Sequence, residues 1–160
     1  NQNGYDGAMI LESWLAFFHI SAILAWIVFA TSQAALCRSD WMNAATLQRL
    51  ERMDRILWIA TAAVLLTGLA RVGWGAKGMA FYGANLLLYT KIALFAVVAS
   101  LQVGPSRQYR SWAAHLQQTQ ELPAEALVRG ARRKVMIATH LMAIIPLPAV
   151  FLARGFGAWL

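Results

Sequence analysis

The stretch ESWLAFFHISAILAWIVFATSQ, residues 12–33, decides the fold. A hydrocarbon core about 30 Å thick is crossed by about 20 predominantly apolar helical residues, and this segment supplies them. It is read as a membrane span with His19 inside it. At 1.5 Å per residue, His19 stands roughly 10 Å along the helix from Glu12. An ionisable side chain at that depth turns toward a bundle interior, where it pairs with another group or holds a ligand. Glu12, His19 and Trp26 recur at seven-residue intervals, so they share one helix face and predict an inward stripe.

Composition places the whole chain in the same class. Hydrophobic residues make up 59% and charged residues 13% of 160 positions, and the mean hydropathy is +0.51. This predicts one small integral membrane domain. The net charge of +7 does not point to nucleic acid, because 10 of the 14 Lys and Arg residues fall in two connecting segments. Arg38, Arg49, Arg52 and Arg55 lie between the first two apolar runs; Arg107, Arg110, Arg129, Arg132, Arg133 and Lys134 lie between the last two. Cationic connections are retained in the cytoplasm. The expected fold is therefore an all-α four-helix transmembrane bundle with both termini on the outer, periplasmic side of a bacterial inner membrane. The basic surface would also attract anionic headgroups. The single cysteine, Cys37, excludes an internal disulfide or thiolate cluster and reads as a small interfacial hydrophobe.

The spans are expected at about 11–36, 56–74, 85–104 and 135–153. Residues 1–10 read as a polar leader at the interface. Ser39 and Asp40 read as an N-cap pair for an amphipathic helix that runs straight into the second span. The glycine- and aromatic-rich GWGAKGMAFYGAN, residues 73–85, reads as a compact interfacial turn. Pro105 is expected to close the third span, with a separate surface helix after it. Pro146 and Pro148 are expected to kink the fourth and free backbone polar groups near Met142 and Ile144.

In this arrangement the ionisable residues sort into two layers. Glu12, His19, Arg71, Lys91 and Arg154 lie near the outer face; Gln33, Asp54, Gln102 and His140 lie near the inner face. A neutral imidazole in a bundle core is a good axial ligand for haem iron. One haem clamped between His19 and His140 is disfavoured, since the two differ in depth by roughly 11 to 20 Å at 1.5 Å per residue. His19 alone remains a candidate haem ligand and His140 a weaker one, while Arg71, Lys91 and Arg154 could hold propionates, a quinone oxygen or another anionic head. The plainer reading of His19 is a buried histidine bonded to a neighbouring carbonyl or hydroxyl; that of Arg71 and Arg154 is snorkelling. Lys91 needs an anion or a route to water, and Glu12 is its expected partner. Soluble-enzyme motifs (GxGxxG after a strand, a phosphate loop, HExxH, CxxC) are absent from the sequence.

The combination of His19, TGLARV at 67–72, KGMAFYGANLLLYTKIALF at 77–95 and IPLPAVFLARGFG at 145–157 resembles a bacterial predicted-membrane-protein family of about this length without an established function. That family usually carries Ser-x-x-Pro-Thr after its third span, where this chain reads SLQVGPSRQYRSW. More distantly, WLAFFHISAILAW is similar to the first helix of HemJ-type protoporphyrinogen oxidases and of copper-resistance D-type proteins. The HemJ-type resemblance implies a b-type haem on His19 with an intramembrane lysine and arginine near the substrate. Two functions follow as expectations: binding of haem, porphyrin or quinone in the outer half for membrane redox chemistry, or a non-enzymatic subunit or assembly factor of a larger membrane complex. A transporter is disfavoured, because four spans without an inverted repeat leave little room for alternating access.

Overall fold

The computed structural model describes residues 2–75 and 82–156. Helix α1 spans Gln2–Leu36, and a 3-10 turn at Ser39–Trp41 leads into α2, Ala44–Trp74. Helix α3 spans Leu86–Thr119, α4 spans Glu125–Ile144 and α5 spans Pro146–Ala153. Four stretches, with α4 and α5 taken together, are long and apolar enough to cross a membrane, and no strand occurs among the described residues. The all-α, four-span architecture is as expected.

Local boundaries differ from the expectation in three places. The helix of the first span begins earlier than the expected residue 11, since residues 2–10, read as a polar leader, are part of α1. The N-cap of α2 is Asn43, whose side chain accepts from the Thr46 N–H at 2.8 Å. Ser39 and Asp40 instead form the 3-10 turn, where Arg38 holds the Asp40 carboxylate at 2.8 Å and lowers its pKa. Pro105 does not end α3, which continues to Thr119. An interior proline removes one helical hydrogen bond and costs about 3 kcal/mol. Burial of Ser106, Tyr109 and Trp112 beyond it offsets that cost. The fourth span does break where Pro146 begins α5, and the Met142 carbonyl accepts from the Ile145 N–H at 3.3 Å. The expected turn at 73–85 falls largely on residues 76–81, outside the described residues.

At 1.5 Å per residue, the 31 residues of α2 and the 34 of α3 extend about 46 and 51 Å, well beyond a 30 Å hydrocarbon core. The surplus carries Arg49, Arg52, Arg55, Arg107 and Arg110 and packs with Cys37 and the start of α4 in an apolar core of Cys37, Leu47, Leu50, Tyr109, Trp112 and Val128. Burial there raises the Cys37 thiol pKa, which leaves it an inert packing group. A second apolar cluster, including Trp26, Leu57, Val64, Val98 and Met142, fills the middle of the bundle.

Between the two cores lies a polar layer. Asp54, 2% exposed, accepts from Gln33 Nε2 at 3.4 Å and from Ser106 Oγ at 2.5 Å, while Ser106 accepts from Trp58 Nε1 at 3.0 Å. One turn away, Thr61 accepts from Trp26 Nε1 at 2.9 Å and lies 2.9 Å from Gln102 Oε1. These contacts pin α1, α2 and α3 together. Ser106→Ala would leave Trp58 Nε1 without its acceptor and Asp54 without one donor, at about 1–3 kcal/mol. The expected outcome is a lower unfolding midpoint in a mixed-micelle denaturant titration, with helix content unchanged before the transition.

Candidate functional site

Four side-chain contacts run along the α1–α2 seam. Glu12 Oε1 accepts from Arg71 Nη2 at 2.9 Å, His19 meets Thr67 at 2.9 Å, Trp26 meets Thr61 at 2.9 Å, and Gln33 meets Asp54 at 3.4 Å. Their α1 members recur every seven residues, the spacing that keeps one face on a neighbour when two helices coil left-handedly. The expected inward stripe is present and reaches one member further, to Gln33.

The second contact fixes the chemistry of His19. The Thr67 hydroxyl has one proton, shared between the carbonyls of Ala63 at 2.6 Å and Val64 at 3.3 Å. Thr67 Oγ1 therefore accepts, and His19 donates from Nδ1. A neutral imidazole held this way keeps an unprotonated Nε2, and no hydrogen bond reaches that nitrogen among the described residues. Gly68 makes room for the ring: a Cβ there would lie 3.3 Å from His19 Cε1.

His19 forms part of the wall of a cavity of about 180 Å³, together with Gly68, Arg71, Tyr82 and Lys91 on an otherwise apolar surface that includes Ile23, Val64, Phe95 and Met142. Glu12 adjoins it through its ion pair with Arg71. The expected pairing of Glu12 with Lys91 is not what forms. Arg71 takes the carboxylate because it projects from the helix packed directly against α1. Lys91, half-buried on α3, makes no ion pair or hydrogen bond among the described residues, and Arg71 Nε is buried without a partner among them. Arg71 thus holds the Glu12 carboxylate, and the Lys91 ammonium stands on the cavity wall apart from it. The close fit extends to Gly75, where a Cβ would stand 2.2 Å from the Arg71 carbonyl and 3.0 Å from Glu12 Oε2.

Two candidates are not brought in. His140 is exposed on the bundle surface, its Nδ1 donating to the Met136 carbonyl of its own helix at 2.7 Å. Arg154 is exposed at the C-terminal end of α5. The residues that sequence reasoning passed over are Thr67 and Gly68. Both lie in the TGLARV segment, and a hydroxyl beside a glycine facing the histidine stripe was the available signal.

Thr67→Val removes the acceptor that fixes the His19 tautomer. ¹⁵N spectra of histidine-labelled protein are expected to show His19 protonated on Nδ1 in the unaltered chain and a mixture of tautomers in the variant. A protonated Nε2 in the unaltered chain contradicts the assignment.

No curated protein and no solved structure matches this chain. A family model described as a predicted membrane protein (DUF2214) matches residues 11–157, a segment that holds the four spanning stretches, the histidine stripe and every residue of the cavity wall. The chain therefore belongs to the DUF2214 family of predicted membrane proteins.

Proposed function

We propose that the cavity binds the ring of a lipid-soluble quinone or quinol, which makes this protein a small membrane redox component. The observation that carries the reading is the pairing of an acceptor with a donor across an apolar cavity: His19 Nε2, freed by the bond to Thr67, and the Lys91 ammonium. A quinone carbonyl accepts from Lys91, and a quinol hydroxyl donates to an unprotonated imidazole. A ring with oxygens on opposite edges can use both. Size agrees, since an engineered apolar cavity of about 150 Å³ accepts a benzene ring and this one is about 180 Å³. Ligand sites of this kind combine apolar walls with a few convergent polar groups.

One observation favours a second reading, haem on His19. Iron-ligating histidines ordinarily donate their other ring N–H to a fixed acceptor, as His19 does to Thr67. Arg71 and Lys91 would then face the propionates. The residues suit the group, but a tetrapyrrole is much larger than the cavity and would extend out of it between helices.

We further infer that the arginine-rich ends of α2, α3 and α4 face the cytoplasm and the cavity end faces outward, in a bacterial inner membrane. The support is the retention of cationic connections on the cytoplasmic side.

Titration of the protein in lipid nanodiscs with a benzoquinone, followed by calorimetry, tests the main reading. Saturable binding is expected. Lys91→Met should weaken it about tenfold or more, the loss of one charge-assisted hydrogen bond, with a comparable loss for His19→Leu. No binding by the unaltered protein overturns the reading. A Soret band in protein from haem-replete cells, lost in His19→Leu, establishes the second reading instead.

A further inference from the structure

The hydrogen bonds between α2 and α3 all lie at one end of their seam among the described residues: Asp54 to Ser106, Trp58 to Ser106 and Thr61 to Gln102. Continuing that antiparallel register toward the cavity places Leu65 and Leu69 of α2 opposite Phe95 and Ile92 of α3, with Leu88 one turn further on. All five belong to the cavity wall. Leu65, Leu69 and Ile92 are also 48%, 57% and 54% exposed. A residue that both lines a cavity and faces outward marks the rim of an opening, and here the rim runs along both helices at one level. On α2 it lies about one and a half to two and a half turns inside the end, at hydrocarbon depth, and its exposed side chains are apolar.

We infer that the gap between α2 and α3 is a lateral portal from the bilayer, and that the ligand is a quinone with a long isoprenoid-type tail lying in this gap. This rests on the quinone reading above and narrows it. The cavity holds about one ring, so a tail must leave it. The α4–α5 side is walled by Ile145, Ala149 and Leu152, of which Ile145 and Leu152 are buried. The Glu12–Arg71 pair and the buried Tyr82 stand at the end nearest the helix termini, and the histidine contact seals the α1 side. At the bottom, Val64 and Met142 are buried in the central apolar cluster. The α2–α3 rim is the apolar way out, and it matches a hydrocarbon chain.

Two measurements test the portal, one without any quinone. In nanodiscs with ¹³C-methyl methionine, dissolved oxygen concentrates in hydrocarbon, while a charged gadolinium chelate stays in water. The Met142 methyl, on the cavity wall, is expected to relax faster under oxygen than that of Met42, which is buried in the arginine-end core, and to ignore the chelate. Leu69→Trp with Ile92→Trp, narrowing the rim, should remove the oxygen effect at Met142. Relaxation by the chelate shows a water-filled cavity and overturns the portal, as does an oxygen effect that the two tryptophans leave unchanged.

The second measurement compares association rates from vesicles for a tailed benzoquinone and the same ring without a tail. The double variant is expected to slow the tailed compound about tenfold and the bare ring far less. Equal rates for both compounds in both proteins overturn the tail assignment while leaving the ring site standing. If neither compound binds but the oxygen pattern holds, the portal stands and the quinone reading falls.

Discussion

Hydrocarbon offers no hydrogen-bond partners, so every polar side chain placed inside a span must find one within the bundle. The α1–α2 seam answers this constraint at four levels, through Glu12 with Arg71, His19 with Thr67, Trp26 with Thr61 and Gln33 with Asp54. Because the α1 members are evenly spaced, sliding one helix past the other by a single residue would break all four contacts together. Individual interhelical hydrogen bonds in membranes average only about 0.6 kcal/mol. Their joint effect is therefore register more than stability, and register is what places the imidazole on the cavity.

Buried polar atoms without a partner occur along the bundle among the described residues, at Gln102 Nε2, Gln108 Oε1 and Arg132 Nε as well as at Arg71 Nε. Away from the cavity, Asp54 takes two donors and the exposed hydroxyls of Thr31 and Ser32 return to their own helix at 2.7 and 2.8 Å. At the cavity end, Lys91 and the Nε atoms of Arg71 and His19 have no partner among the described residues. What sets the cavity end apart is that its open groups include a cation and an imidazole nitrogen on the wall of an apolar cavity, a place where local consistency is given up for function.

Much of this was legible in the sequence for a physical reason. A bilayer imposes a length and a polarity on each span, so hydropathy alone located the four spans, and rarity alone singled out His19, Lys91 and Arg71. Seven-residue spacing found the α1 face. The sequence could not say which cation takes Glu12, because that depends on which helix packs against α1 and not on depth. It suggested that Pro105 ends a helix, since local propensity there is overruled by burial of Ser106, Tyr109 and Trp112. Thr67 and Gly68 were hidden because a threonine and a glycine are common in spanning helices and gain meaning only once a histidine is seen against them.

The bundle also keeps its two polar regions apart. The cavity with His19 and Lys91 lies on one side of the layer formed by Val64, Val98, Met142 and the Trp26 ring, and Asp54 with Gln33 and Ser106 lies on the other. Trp26, Val98 and Met142 are no more than 1% exposed, and close-packed apolar side chains of this kind leave no room for a chain of water. His19 and Thr67 are also joined by no side-chain hydrogen bond to Thr61 or Gln102 among the described residues. A proton gained or lost by a ligand beside His19 would thus leave on the cavity side, where the Glu12 carboxylate stands. Asp54, though the most buried carboxylate among the described residues, serves the packing of α1, α2 and α3 and lies off that route.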